Sequence, residues 1–452
     1  MNRTAAWILA TLCGGTLAAN PELPGGATTS FEHSREAFAQ PADNLNPRSL
    51  AQFFSGDTIF NTNWVNATSV VDGRDGLGPL FNTRSCSACH FKDGRGRPPE
   101  KGEIPSGFLI RISLPETSES GSPQPHPIYG NQISVRALPG LRPEAVIQIA
   151  YRETVAHYPD GNEYRIQKPT YTIENWAYGD PGDSLETSPR VAPSVFGLGL
   201  LDAIPDETIL ARADPNDDNR DGISGRPNWV WSPSRNERQL GKYGWKANKA
   251  TLEDQSAAAF QGDLGITSNL FPSENHSPHQ VDTQAYASGG FPELSDRDLE
   301  DIVFYLKTLA PPASRFRDPN AYRQGQQLFA ETQCARCHTP EFRTRANAEI
   351  PALANQDIYP YTDLLLHDMG EQLADHRPDF EASGQEWRTP PLWGLGLIET
   401  VNGHKLLLHD GRARNVEEAI LWHGGEAESS QRAFMRLSAS QRQTLIDFVK
   451  AL

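Results

Sequence analysis

The chain has 452 residues, with 57 acidic against 41 basic side chains and a formal net charge of −16. That balance argues against a nucleic-acid binder, which needs a basic surface to displace counterions, and the length sets a prior of about three domains at roughly 150 residues each. An acidic face is compatible with plain solubility, or with steering a basic redox partner such as a small cytochrome.

Residues 1–19 read as an export signal. Arg3 precedes an apolar run from Ala5 to Leu12, and Thr16-Leu17-Ala18 offers small residues where a signal peptidase reads. The run is too short to span a bilayer, and no later stretch is long and apolar enough to be a second candidate. A periplasmic protein with no transmembrane segment in the mature chain is therefore expected. Cys13 invites a lipoprotein anchor, but Leu12 is bulky where a lipidation site prefers a small residue, so removal with the signal is the preferred reading.

Cys86-Ser87-Ala88-Cys89-His90 and, much later, Cys334-Ala335-Arg336-Cys337-His338 both read C-x-x-C-H and use four of the five cysteines. Two such thiols can add across the vinyl groups of a haem while the adjacent imidazole becomes an axial iron ligand. A disulfide pair, a thioredoxin-like motif or a zinc site made by the four cysteines would leave a histidine after each pair by coincidence. Two covalently bound haems c, ligated by His90 and His338, are expected. Export agrees, because c-type haems are attached outside the cytoplasmic membrane in bacteria.

Downstream of the first motif, Ile104–Leu114 and Tyr164–Ile173 alternate weakly and predict short strands. Asp217, Asn219, Asp221 and Gly222 match the first half of a D-x-N-x-D-G calcium loop. Asn228 stands where an EF-hand needs its glutamate, so the competing reading is a solvated Asx-rich turn. Ser295 caps a helix whose apolar face is Leu299, Ile302, Val303, Leu306 and Leu309, and Pro311-Pro312 stops it. Gly325 to Phe329 predicts a short helix feeding the second motif.

Three echoes suggest a duplication. Arg190 to Asp202 recurs as Arg388 to Glu399, Thr251-Leu252-Glu253-Asp254 as Asn415-Val416-Glu417-Glu418, and Asp301 to Leu309 as Thr444 to Leu452. The expected fold is mainly α: two tandem cytochrome c-like haem domains with long loops and small β additions in the first half. Residues 20–312 would form the N-terminal haem domain with insertions, and 313–452 the C-terminal one.

These motifs resemble the bacterial di-haem cytochrome c peroxidase superfamily, and more closely its di-haem oxidoreductase branch. The resemblance to the branch covers nearly the whole mature chain, through Gly78-Pro79-Leu80-Phe81-Asn82, Gly241 to Thr267, Tyr361 to Gly370 and Glu386 to Glu426. Trp245 to Gln255 keeps the peroxidases' Trp-to-Gln interval, and Asp263-Leu264-Gly265 takes the place of their E-M-G. The resemblance implies that Trp245 lies between the haems and that Gln255 and Asp263 line a peroxide pocket at the first haem, whose sixth position would be open or weakly held. Asp263 is one methylene shorter than the family's glutamate and nearer to its glutamine. The competing reading makes Gln255 and Asp263 helix-surface and capping residues.

In the second half, Leu408-His409-Asp410-Gly411 and Asn415 to Ile420 lead to His423 at the place of the family's ligating methionine. His423 is thus implied as the sixth ligand of the second haem, whose potential would be lower than that of a His/Met iron. Met369 is the alternative ligand, as is Met435, while His367 and His409 would be pocket or propionate partners. The implied activity is reduction of hydrogen peroxide at the first haem, with electrons relayed from the second and supplied by a small redox protein or other donor. A di-haem electron-transfer cytochrome without peroxidase activity, and a di-haem enzyme that modifies a protein or organic substrate, are the alternatives.

Overall fold

The helix Pro47–Asn61 starts where Asn46 accepts hydrogen bonds from the amides of Arg48 and Ser49, with proline in its first turn. In this computed structural model, which describes residues 22–69, 73–280 and 286–452, the helix leads toward the first C-x-x-C-H motif. It packs on the helix Asp296–Thr308, and Gly56 sets the approach: a Cβ there would collide with the carbonyl of Asp301. The second half repeats the device. Asp318 caps Pro319–Glu331, proline again opens the helix, and Gly325 lies against Phe448 of the closing helix Ala439–Ala451. The expected export signal and Cys13 lie outside the described residues.

The Arg190 and Arg388 echoes also fold alike. The amide of Gly197 donates to the carbonyl of Leu309 at 2.9 Å, and that of Gly394 to Leu452 at 3.0 Å, so each echo is pinned to the end of its own closing helix. The two segments meet across the seam, with Gly197 against the Trp393 ring and Gly394 against the Phe196 ring. One buried apolar cluster runs through both halves, from Ala37 to Leu452. A second cluster, including Phe108, Ile110, Ile112, Tyr129, Trp245 and Trp387, lies beneath the sheet of the first half.

The expectation of a mainly α pair of cytochrome c-like domains is overturned: helix accounts for 28% of the chain and strand for 19%, spread over many small sheets. Phe108–Thr117 pairs with Glu186–Val191, and Val146–His157 forms a long hairpin with Glu163–Glu174. Nor is strand confined to the first half, since Phe342–Arg343 pairs with Asp357–Ile358 and Leu366–Asp368 with Glu386–Arg388. Phe108–Thr117 finds its partner some seventy residues away, so that ladder closes through tertiary contacts that local periodicity does not encode. The long hairpin has its own reason. It is held over the second half by polar contacts from within its second strand, with Gln167 donating its amide to Glu418 at 2.6 Å and the Tyr171 hydroxyl donating to Asp410 at 2.6 Å.

Candidate functional site

A cavity of about 820 Å³ opens on the seam between the halves. Its lining includes Cys86, Cys89 and His90 from one motif, Cys334, Cys337 and His338 from the other, and Trp245, Gln255, Asp263, Met369 and His423. Each motif is a tight turn, with the His90 amide bonded to the Cys86 carbonyl at 2.9 Å and the His338 amide to Cys334 at 3.0 Å. That turn brings both thiols and the imidazole of a motif to one side.

Three histidines share one arrangement. Nδ1 of His90 lies 2.7 Å from the Pro193 carbonyl, Nδ1 of His338 2.9 Å from Tyr361, and Nδ1 of His423 2.7 Å from Ala419. A carbonyl at Nδ1 requires the proton there and leaves the Nε2 lone pair free, which is the tautomer a metal-binding imidazole needs. Burial pushes all three pKa values down, that of His338 to about 4 with the nearby His423 ring adding to the effect, so the rings are neutral near pH 7. Burial also pushes the Cys86 and Cys89 thiols up, to about 12 and about 11.

The four cysteines are free and do not come together as a zinc site would require. Among the described residues, only Cys337, Asp363 and His367 gather potential ligand atoms within 4.8 Å of one another. His367 is not a free donor, because Nε2 meets Asp363 at 2.8 Å and Nδ1 meets Glu426 at 2.7 Å. Burial works against its charge, but the neighbouring anions, Asp363 foremost, hold its pKa well above the usual histidine value.

The charge of the lining fits haem. Arg95, Arg111, Arg190, Arg377, Arg388, Lys242 and Lys249 face the cavity against only Asp263, Glu274, Asp379 and Glu426, in a chain that is strongly acidic as a whole. Nε of Arg95 and Nε of Arg377 are buried and have no hydrogen-bond partner among the described residues. Each haem brings a pair of propionate carboxylates, and buried guanidinium groups need such anions.

Asp263 lies in a π-helical turn, Phe260–Leu264, that continues the helix Leu252–Ala259. Turns of that kind are frequent at functional sites. Its carbonyl accepts the amides of Asn82 at 2.7 Å and Thr83 at 3.1 Å, which ties the turn to the strand leading into Cys86. Its Oδ1 accepts from Nε2 of Gln132 at 2.8 Å, and its charge reaches Cys86, Cys89 and His90. Among the described residues Oδ2 accepts no hydrogen bond, and the side chain of Gln255, one helix earlier, makes none. Helix capping at this point is done by Thr251, whose hydroxyl accepts the Asp254 amide at 3.0 Å. Asn415 does the same for Glu418 at 2.9 Å, so the second echo is a repeated helix start.

Trp245 is buried, and its Nε1 donates to the Val191 carbonyl at 2.8 Å while the Val191 amide donates to the His409 carbonyl at 2.8 Å. His409 stacks on Trp387 with centroids 3.7 Å apart and planes within 9°, and burial pushes its pKa down to about 3. Met369 lines the cavity with His423, its carbonyl against Gly424, whereas Met435 packs at the edge of the main core. The Asp217 loop is occupied with itself: Asp217 and Asn219 accept from the amide of Asp221, and Asp221 pairs with Arg336 of the second motif at 2.8 Å.

Gln132 and Trp387 carry no sequence signal as site residues. Gln132 is placed by an isolated bridge to Arg111, and Trp387 by pairing with His367. Arg190 and Arg388 did have a signal, since each opens a copy of the first echo.

Two haem-type motifs opening on one buried, cation-rich cavity define a protein of the di-haem class. The chain belongs to the family described as "Di-haem oxidoreductase, putative peroxidase", whose model matches residues 19–452. No curated protein and no solved structure matches it.

Proposed function

We propose that the chain is an exported c-type di-haem peroxidase that reduces hydrogen peroxide at its N-terminal haem with electrons drawn from its C-terminal haem. Haem would be joined covalently to Cys86 and Cys89 and to Cys334 and Cys337, with His90 and His338 as its protein ligands, and would supply a redox-active iron at each station. The haem units would be residues 20–312 and 313–452, following a signal over 1–19. The single observation that carries the reading is the unequal furnishing of the two motifs. His423 lies in electrostatic reach of His338 with Nε2 free, and an anchored carboxylate and an unengaged amide attend the first motif instead.

The chain's own groups then divide the work. Nε2 of His423 would be the further protein ligand at the second station, as Nδ1 is held by the Ala419 carbonyl. Oδ2 of Asp263 takes the proton from one oxygen of the peroxide and returns it to the departing oxygen, while Gln132 holds Oδ1 still. The Gln255 amide orients the peroxide. Trp245, linked through Val191 to the His409–Trp387 stack, carries electrons between the stations. A small redox protein drawn to the acidic surface supplies two electrons per peroxide, and with two protons the products are two waters.

The deciding experiment is spectroscopic. The half-reduced protein should show a high-spin or exchangeable first haem that peroxide shifts within the mixing time. Two low-spin haems inert to peroxide would overturn the reading in favour of an electron-transfer cytochrome. Amino-terminal sequencing of the mature periplasmic protein tests export.

A further inference from the structure

Buried cations on the wall of the cavity and just behind it are engaged only in part by the chain's own acceptors. Nη2 of Arg190 meets Asp379 at 3.0 Å, Nη1 of Arg377 meets the same carboxylate at 3.3 Å, and Nζ of Lys246 meets Asp375 at 2.8 Å. These five side chains are at most 7% exposed. Beside them Arg111 and Lys249 make no ion pair among the described residues, although both face the cavity. Asp263, Asp254 and Glu186 lie within electrostatic reach of the group, yet among the described residues no carboxylate hydrogen-bonds Arg111 or Lys249, and Nε of Arg377 has no partner.

Such an arrangement is costly unless something completes it, because a buried cation whose N–H groups lack acceptors loses its hydration for nothing. Burial pushes Lys246 down to about 8 and Arg377 to about 10, and Arg190 pushes both further down against the pull of Asp375 and Asp379. The missing partner is an anion, planar and bidentate enough to engage guanidinium groups, which is the chemistry of a carboxylate.

The position says whose carboxylate it is. Arg111 lies within electrostatic reach of Asp263, whose charge also reaches Cys86, Cys89 and His90. Arg190 is three residues before Pro193, whose carbonyl fixes His90. Arg377, Asp375 and Asp379 arrive from the other half of the chain. We infer that Arg111, Arg190, Lys249 and Arg377 form a carboxylate-binding seat, built by both halves, for the propionates of the haem carried by Cys86 and Cys89. The inference rests on haem attachment as proposed above.

The test uses the full holoprotein made with haem labelled by carbon-13 at its propionate carboxyls, read by redox-difference infrared spectroscopy and by potentiometric titration of each haem. Arg111→Gln and Arg377→Gln should each shift the labelled carboxylate bands. Each should also lower the potential of the first haem, since a lost cation favours the oxidised iron, whereas Arg111→Lys should keep both close to wild type. Succinate, a free dicarboxylate, should leave the wild-type spectra unchanged. Bands and potential unmoved in both glutamine variants would overturn the seat. Saturable succinate binding abolished by Arg111→Gln would overturn the propionate assignment and point to an organic-acid ligand. Mass spectrometry of the mature protein separates the two levels: no covalent haem overturns the haem reading together with the seat, and covalent haem with unmoved bands overturns the seat alone.

Discussion

Replacing Asp263 by asparagine changes one property of the proposed peroxide site. Asparagine has the same shape, and its carbonyl can still accept the Gln132 amide that now meets Oδ1 at 2.8 Å, so position is kept and only the proton acceptor is lost. A positioned general acid–base contributes about 10²–10⁴-fold, which is roughly 3–5.5 kcal/mol of barrier. Gln132→Leu is the graded partner. It leaves the carboxylate but removes its charge-assisted hydrogen bond, worth about 1.5–3 kcal/mol, and should slow the reaction by about ten- to a hundredfold. The assay is stopped-flow mixing of half-reduced protein with excess peroxide, followed at the haem Soret band, after confirming that both variants carry two haems. An asparagine variant that reacts at the wild-type rate would refute the acid–base role. A leucine variant slower than the asparagine variant would refute the division of labour between the two residues.

His423→Met should raise the potential of the second haem, because a thioether ligand favours the reduced iron; an unchanged potential in a redox titration would transfer the ligand role to Met369. Glu144 is buried, and burial raises its carboxyl from the ordinary 4.5 to about 7. A raised folded-state pKa means that stability present below about pH 4.5 is lost as pH rises through about 7, by at most about 3 kcal/mol. Glu144→Gln, which keeps an acceptor for the Ser134 amide, should therefore gain stability relative to wild type across that window. Parallel chemical-denaturation profiles would contradict this. Trp245→Phe removes the hydrogen bond to Val191 and should cost about 1 kcal/mol of stability and slow electron transfer between the haems, measured after flash reduction. Calcium would have to break the Asp221–Arg336 pair, so about 1 mM calcium should leave the melting temperature unchanged; a clear rise would revive the loop as a cation site.

The sequence carried what is local and covalent. Two C-x-x-C-H runs, the cap at Ser295, and the Thr251/Asn415 and Arg190/Arg388 echoes are short strings whose chemistry or backbone geometry acts within a few residues, and the cap and the echoes reappear as local structure in the fold. The family resemblance was legible for the same reason. Fold class was not. The first-half sheet closes between Phe108–Thr117 and Glu186–Val191, and hairpins such as Val146–Glu174 are half exposed, so neither has the strong alternation that marks a strand locally. The tertiary structure alone decided which groups meet: Gln132 with Asp263, Trp387 with His409, His367 held between Asp363 and Glu426, and Arg111 beside Arg377. Those partners lie tens to hundreds of residues apart or on loops without periodicity. Their energies come from charge and burial across the seam, and burial is a property of the folded whole.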